Sequence, residues 1–306
     1  MKHLIGLEHL SKEDIVALVD LGMRYRDWLE GEYRESKQPL SLLKGKRICL
    51  LFYEPSTRTR HSFELASRLL GGDVASFSLA VSSVQKGESF KDTLLTLESM
   101  GFDLFVIRHS ISGACVYATK VLQRARVVNA GDGMHEHPSQ TLLDLLTIKQ
   151  AKGTIENLKI AIIGDILHSR VARSTIFAIK KLNGEIRLCA PPTLLPKDIE
   201  KFGVRIFYKI EEAISDVDVI YMLRIQRERQ KEQFFPSIEE YSRLFSLTNS
   251  LLSLAPRAIV MHPGPVNRGV EIEGTVVDGE KSLILEQVRN GVAVRMAILH
   301  SLLGEK

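Results

Sequence analysis

Between positions 46 and 70 the chain reads as a strand, a turn and a helix, and this stretch restricts the fold more than any other. Lys46-Arg47-Ile48-Cys49-Leu50-Leu51-Phe52-Tyr53 is an apolar run of strand length. Phe63, Leu65, Ala66, Leu69 and Leu70 then recur at helical spacing until Gly71-Gly72 stops them. The same alternation continues down the chain. Strands are expected at 73–79, 103–107, 126–129, 158–165, 185–189, 204–208, 217–223 and 257–262. Helical patterns lie around and between them. Ser11 with Glu13 and Asp14 opens the first, which runs on until Pro39 breaks it, and Ser89 with Asp92 caps another. Further helices are expected over 114–124, over 138–151 with Pro138 at its first position, and over 283–303. In the last, Val288, Val292, Met296, Leu299 and Leu302 should form the buried face. Strands alternating with helices predict an α/β chain of doubly wound parallel sheets, and 306 residues are enough for two such domains.

In open parallel sheets, ligands gather where strands end at their carboxyl edge. The turn after the first apolar run is Glu54-Pro55-Ser56-Thr57-Arg58-Thr59-Arg60. A helix start presents backbone N–H groups and the positive end of its dipole to an anion. Ser56, Thr57 and Thr59 add hydroxyl donors, and the fork of Arg58 matches two phosphate oxygens. Arg108 closes the 103–107 strand, and His137 and Gln140 stand one turn apart at the start of the 138–151 helix. In the second half, Arg170 opens a helix, Arg224 with Gln226 follows a strand, and Arg268 lies in a later turn. Arginine stays charged and grips carboxylates bidentately, so this half suits an acidic co-substrate. The Gly-rich phosphate loop of nucleotide sites is missing, and Gly164 alone does not make a dinucleotide fingerprint. His135 and Glu136 lack further ligands at matching spacing, so no metal and no cofactor is expected.

The charge balance is 41 − 37 = +4, too small to call for nucleic acid as a partner. Cys49, Cys115 and Cys189 are far apart in apolar contexts, which predicts buried thiols. No apolar run reaches membrane-spanning length and no secretory signal opens the chain, so a cytoplasmic location and no membrane partner are expected.

Ser56-Thr57-Arg58-Thr59-Arg60 resembles the carbamoyl-phosphate motif of the transcarbamoylase family, and His137-Pro138-Ser139-Gln140 resembles that family's second motif. The resemblance runs to the C-terminus. His262-Pro263-Gly264-Pro265 and Met222-Leu223-Arg224-Ile225-Gln226 resemble the aspartate branch, whereas the ornithine branch has a His-Cys-Leu-Pro segment. It implies an enzyme that moves the carbamoyl group of carbamoyl phosphate to the amine of L-aspartate. It also implies a carbamoyl-phosphate domain over 1–136, an aspartate domain over 137–283, a final helix 284–306 returning to the first, and an active site in the cleft between domains. By the same resemblance, Ser56, Thr57, Arg58 and Thr59 hold phosphate, and Thr59, Arg108 and His137 polarise the carbonyl. Gln140 and the backbone carbonyls of Pro263 and Gly264 hold the carbamoyl NH2. Arg170, Arg224 and Gln226 hold the aspartate carboxylates, and Glu54 positions the domains. Ser82 and Lys86 would reach a neighbouring subunit's site in a homotrimer. Gly264 departs from the leucine of some relatives, so only its backbone contact carries over. Another amine such as ornithine, or an inactive scaffold, remain alternatives, and association with regulatory chains or a dihydroorotase stays open.

Overall fold

A computed structural model describes residues 1–78, 88–225 and 234–304. The chain divides into two compact units, Met1–Leu146 with Val288–Lys306, and Thr147–Gln287.

The first unit is built on β1 (Arg47–Phe52), β2 (Asp73–Ser78), β3 (Leu104–His109) and β4 (Arg126–Asp132). All pairings are parallel, in the order β2-β1-β3-β4. From Ile48 to Phe52 every residue of β1 is buried, as expected of an interior parallel strand covered on both faces. Its helices are α1 (Lys12–Glu30), α2 (Glu32–Ser36), α3 (Thr57–Leu69), α4 (Phe90–Ser99) and α5 (Ala114–Val121), followed by the start of α6 (Pro138–Lys152). Cys49 and Leu51 point to one side of the sheet, where they meet Leu94 and Leu97 of α4 and Cys115 and Ala118 of α5. Gly22 of α1 lies against Val294 and Leu146, and a larger side chain would meet the Val294 methyl at 3.1 Å.

The second unit contains β5 (Lys159–Ile163), α7 (Arg170–Lys181), β6 (Glu185–Cys189), β7 (Arg205–Phe207), α8 (Ile210–Ile214), β8 (Val219–Met222), α9 (Ile238–Phe245), α10 (Asn249–Ser253), β9 (Ile259–Met261) and α11 (Gly274–Val277). Its five strands are again parallel, in the order β7-β6-β5-β8-β9. The chain ends in α12 (Ile284–Leu303). Both sheets are thus doubly wound, with strand order reversing between β1 and β3 in one and between β5 and β8 in the other. Among the described residues no helix is long and apolar enough to cross a membrane. Cys49, Cys115 and Cys189 are free and buried.

Four local expectations differ from the structure. The first helix stops at Gly31, well before Pro39, because Gly31 leaves helical geometry, and the remainder of the expected run forms the separate short helix α2. α5 ends at Val121 where 124 was expected. The Glu98 carboxylate accepts the N–H groups of Gln123, Arg124 and Ala125 at 2.8–3.2 Å and draws that segment out of the helix. Leu65 is 46% exposed, because it falls at the edge of the face of α3 that buries Phe63, Ala66 and Leu69. Val288 is 50% exposed, while every residue from Ala293 to Leu299 is buried. α12 is therefore enclosed almost all round along its second half, and burial there does not follow a single stripe.

Candidate active site

In the first unit the turn before α3 and Arg108 meet at the carboxyl edge of the sheet, at the point where strand order reverses, and His137 and Gln140 follow the neighbouring strand β4. Phe52 and Arg108 are register partners on β1 and β3, and Tyr53 donates its N–H to the Arg108 carbonyl at 2.8 Å. The turn after β1 is thereby pinned beside the end of β3. Behind it the Tyr53 and His109 rings lie 4.7 Å apart. Ser56 is the N-cap of α3 in extended geometry, and its hydroxyl makes no cap hydrogen bond. The first turn of α3 carries no acidic residue. Thr59 is buried, whereas Thr57 and Arg58 are exposed. This is a helix start whose side chains leave its positive end open to an anion.

Arg108 ties three segments together. Its Nη1 donates to the Ala130 carbonyl at 3.2 Å, and its Nε faces Glu54 Oε2 at 3.4 Å. A guanidinium so clamped, only 14% exposed, is already aimed before any ligand arrives. His137 is buried, with its Nδ1 3.5 Å from the Ser139 hydroxyl. Its carbonyl accepts the Gln140 N–H at 3.0 Å, which starts α6. The Gln140 amide donates to Asp144 Oδ1 at 3.0 Å. Asp144 was not foreseen as part of the site, although its spacing of four residues from Gln140 on one helix was the available signal.

The segment leading to His137 is held by buried acids. Asp132 accepts from Asn129 Nδ2 at 2.7 Å and from the Gly113 N–H at 2.8 Å. Glu136 accepts the N–H groups of Leu7 at 2.7 Å and Glu8 at 3.2 Å. Glu8, His135 and Glu136 bring one possible ligand atom each within 4.8 Å of one another, a grouping the sequence did not reveal. The Glu136 carboxylate nonetheless serves the N-terminal backbone, and His135 Nδ1 lies 3.1 Å from Asp132 Oδ1.

In the second unit Arg170 and Arg224 flank the corresponding reversal point. Ser169 caps α7 by accepting the Ala172 N–H at 3.1 Å, and Arg170 is the first residue of that helix, buried. Arg224 stands two residues after the end of β8. The two segments approach closely here. Gly164 has φ +123°, and a Cβ on it would lie 2.7 Å from the Leu223 carbonyl oxygen, so only glycine fits. The Asp165 carboxylate accepts the His168 N–H at 3.2 Å and lies 2.8 Å from His168 Nδ1, fixing the loop before Arg170. Tyr241 is fully buried beside Gly164, and burial pushes its phenol well above the ordinary value, with Glu271 and Asp165 adding to the effect. Pro263 and Gly264 follow β9, where the Gly264 N–H donates to His262 Nδ1 at 2.8 Å. Arg268 is engaged elsewhere, in a two-pronged pair with Asp278 at 2.6 and 2.7 Å. Ser82, Lys86 and Gln226 lie outside the described residues.

Two family models match the chain. One, described as the carbamoyl-P binding domain of aspartate/ornithine carbamoyltransferase, covers residues 2–150, and the other, its Asp/Orn binding domain, covers residues 156–302. The aspartate carbamoyltransferase catalytic subunit of Moorella thermoacetica is 51% identical over 304 residues, 99% of this chain and 97% of that one. Among solved structures, aspartate transcarbamoylase from Trypanosoma cruzi with carbamoyl aspartate and phosphate superposes with a TM-score of 0.87 at 33% identity, covering 99% and 96% of the two chains. The catalytic subunit of M. jannaschii aspartate transcarbamoylase gives 0.85 at 37% identity, covering 99% and 98%.

Proposed function

The chain belongs to the aspartate/ornithine carbamoyltransferase family, and on that premise we propose that it transfers the carbamoyl group of carbamoyl phosphate to L-aspartate. The products are N-carbamoyl-L-aspartate and phosphate, a step of pyrimidine synthesis. The observation that carries the reading is the pairing, in one chain, of an open helix start on the first sheet with two buried or half-buried arginines on the second. One suits a phosphate and the other a dicarboxylic acid.

The residue roles follow from the chemistry. The amine nitrogen attacks the carbamoyl carbon, and the carbonyl oxygen takes up negative charge as the tetrahedral intermediate forms. The C–O bond to phosphate then breaks, and the proton shed by nitrogen leaves with the phosphate. Ser56, Thr57, Arg58 and Thr59 hold the phosphate. Thr59, Arg108 and His137 donate to the developing oxyanion, where fixed donors contribute most. Gln140, with the carbonyls of Pro263 and Gly264, takes the carbamoyl NH2. Arg170, Arg224 and Gln226 hold the aspartate carboxylates. No side chain is asked to act as nucleophile, so the rate rests on placement and on charge already in position. We further infer a homotrimer in which Ser82 and Lys86 serve the neighbouring subunit's site, and a cytoplasmic location, which the three free buried thiols suit.

The test is product formation from carbamoyl phosphate with aspartate, ornithine and putrescine in parallel. Carbamoyl-aspartate as the dominant product is the expected result, and carbamoylation of ornithine or putrescine in its place overturns the choice of acceptor.

A further inference from the structure

α12 carries one charge inside its enclosed half. Arg295 is 4% exposed, among neighbours that are all apolar from Ala293 to Leu299. Withdrawing a guanidinium from water is costly, so its retention calls for a compensating interaction. Its place is closely fitted. The guanidinium carbon lies over the ring of Phe63, 5.1 Å from the centroid, and Phe63 is on α3. A Cβ at Gly291 would come within 2.5 Å of Arg295 Nη1, so the glycine one turn earlier makes room for the fork. Among the described residues Nε has no hydrogen-bond partner. Burial lowers the Arg295 pKa most, Asp144 raises it and Arg58 lowers it further, bringing it to about 10. It therefore remains a cation at neutral pH.

Arg295 thus meets both parts of the phosphate end of the site. Through Phe63 it packs on the helix that begins with Thr57, Arg58 and Thr59. Through Asp144 it bears on the carboxylate that accepts the Gln140 amide at 3.0 Å. Arg295 thus feels the like charge of Arg58 as well as the opposite charge of Asp144. The pairing of like charges is unfavourable until an anion joins it.

We propose that Arg295 is a positioning residue for carbamoyl phosphate, supplying fixed positive charge beside the α3 turn and anchoring the Asp144 carboxylate that orients Gln140. The proposal rests on the carbamoyl-phosphate role given to that turn above. A purely architectural Arg295 would stabilise the fold and leave phosphate affinity alone.

Three full-length chains separate these roles: wild type, Arg295→Met and Gly291→Ala. Methionine nearly keeps the volume and removes the charge. Alanine at 291 keeps the charge and displaces the fork, and it is the better helix former, so weaker binding there does not trace to a loosened helix. Binding of inorganic phosphate is measured by titration calorimetry, beside the KM of each substrate. Arg295→Met should weaken phosphate binding and raise the carbamoyl-phosphate KM roughly 10- to 100-fold, the range for a lost charged contact. Gly291→Ala should move both in the same direction by a smaller factor, with the aspartate KM unchanged. A folded Arg295→Met chain with wild-type phosphate affinity overturns the proposal. If that variant does not fold, Gly291→Ala decides, and wild-type phosphate affinity in it is equally fatal. Phosphate binding is read without turnover. A wild-type chain that binds phosphate but yields no carbamoyl product would therefore dismiss the activity and still leave Arg295 tested.

Discussion

Arg224 is the residue on which acceptor choice should turn. It follows β8 beside the Gly164 turn, where a carboxylate would be gripped by a half-buried fork. Arg224→Ala should raise the aspartate KM while leaving the carbamoyl-phosphate KM near wild type, because truncating one partner of a buried charge pair costs about 2–5 kcal/mol. Steady-state kinetics with each substrate varied in turn checks this, and an unchanged aspartate KM removes Arg224 from the acceptor site. His137→Ala should lower kcat by about 10²- to 10³-fold, the loss for one oxyanion donor. The helix start should survive, since Gln140 and Thr141 donate to the His137 carbonyl and not to its ring. Full turnover in that variant would reduce His137 to a structural residue. The residues at strand ends were legible because a charge that follows an apolar run is conspicuous. Asp144 and Arg295 were not, because a lone charge in an apolar helix does not disclose which buried partner stabilises it. Arg268 shows the converse: a conspicuous cation after a strand proved to be occupied by Asp278.

Among the elements, the end of α5 shows a carboxylate acting as a cap from another helix. Glu98 of α4 is buried. Burial alone would raise its pKa, but the N–H groups of Ala125, Arg124 and Gln123 and the charge of Arg124 outweigh it and hold the carboxyl below its ordinary value. A depressed carboxyl stabilises the fold fully above its unfolded pKa and loses that contribution as pH falls through the folded one. Glu98→Gln should therefore cost about 1.5–3 kcal/mol at neutral pH, the range for hydrogen bonds to a charged group. The gap between the two urea midpoints should stay constant down to about pH 5 and close below about pH 4. Equal midpoints at pH 7 would show that the charge contributes nothing there. Nothing in the sequence marks this cap, since Glu98 and Ala125 are linked only by tertiary structure. By contrast β1, α3 and α6 could be read directly, because their apolar runs and spacing carry the information. α12 misled for a physical reason: a helix enclosed on most sides has no single apolar stripe to find.

For the molecule as a whole, the parallel pairing of both sheets was legible in the alternation of strands and helices, whereas the places where strand order reverses emerge only in the folded chain. The proposed sharing of sites between subunits demands a test that no single chain can pass. Arg58→Ala and Lys86→Ala assemblies should each be nearly inactive. Denaturing and renaturing the two together should restore part of the activity, because some interfaces then unite an intact Arg58 with an intact Lys86. Verified mixed trimers with no recovery would end the shared-site proposal. The free thiols offer a different kind of handle. Cys49 and Cys115 are sealed inside the first unit and Cys189 inside the second, and burial pushes the Cys49 and Cys189 thiols up, away from the reactive thiolate. Each can meet a reagent only when its own sheet opens, so alkylation runs as two clocks in one molecule. Peptide masses taken over time would read both from a single sample, and a substrate that slows one clock alone identifies the unit it has tightened.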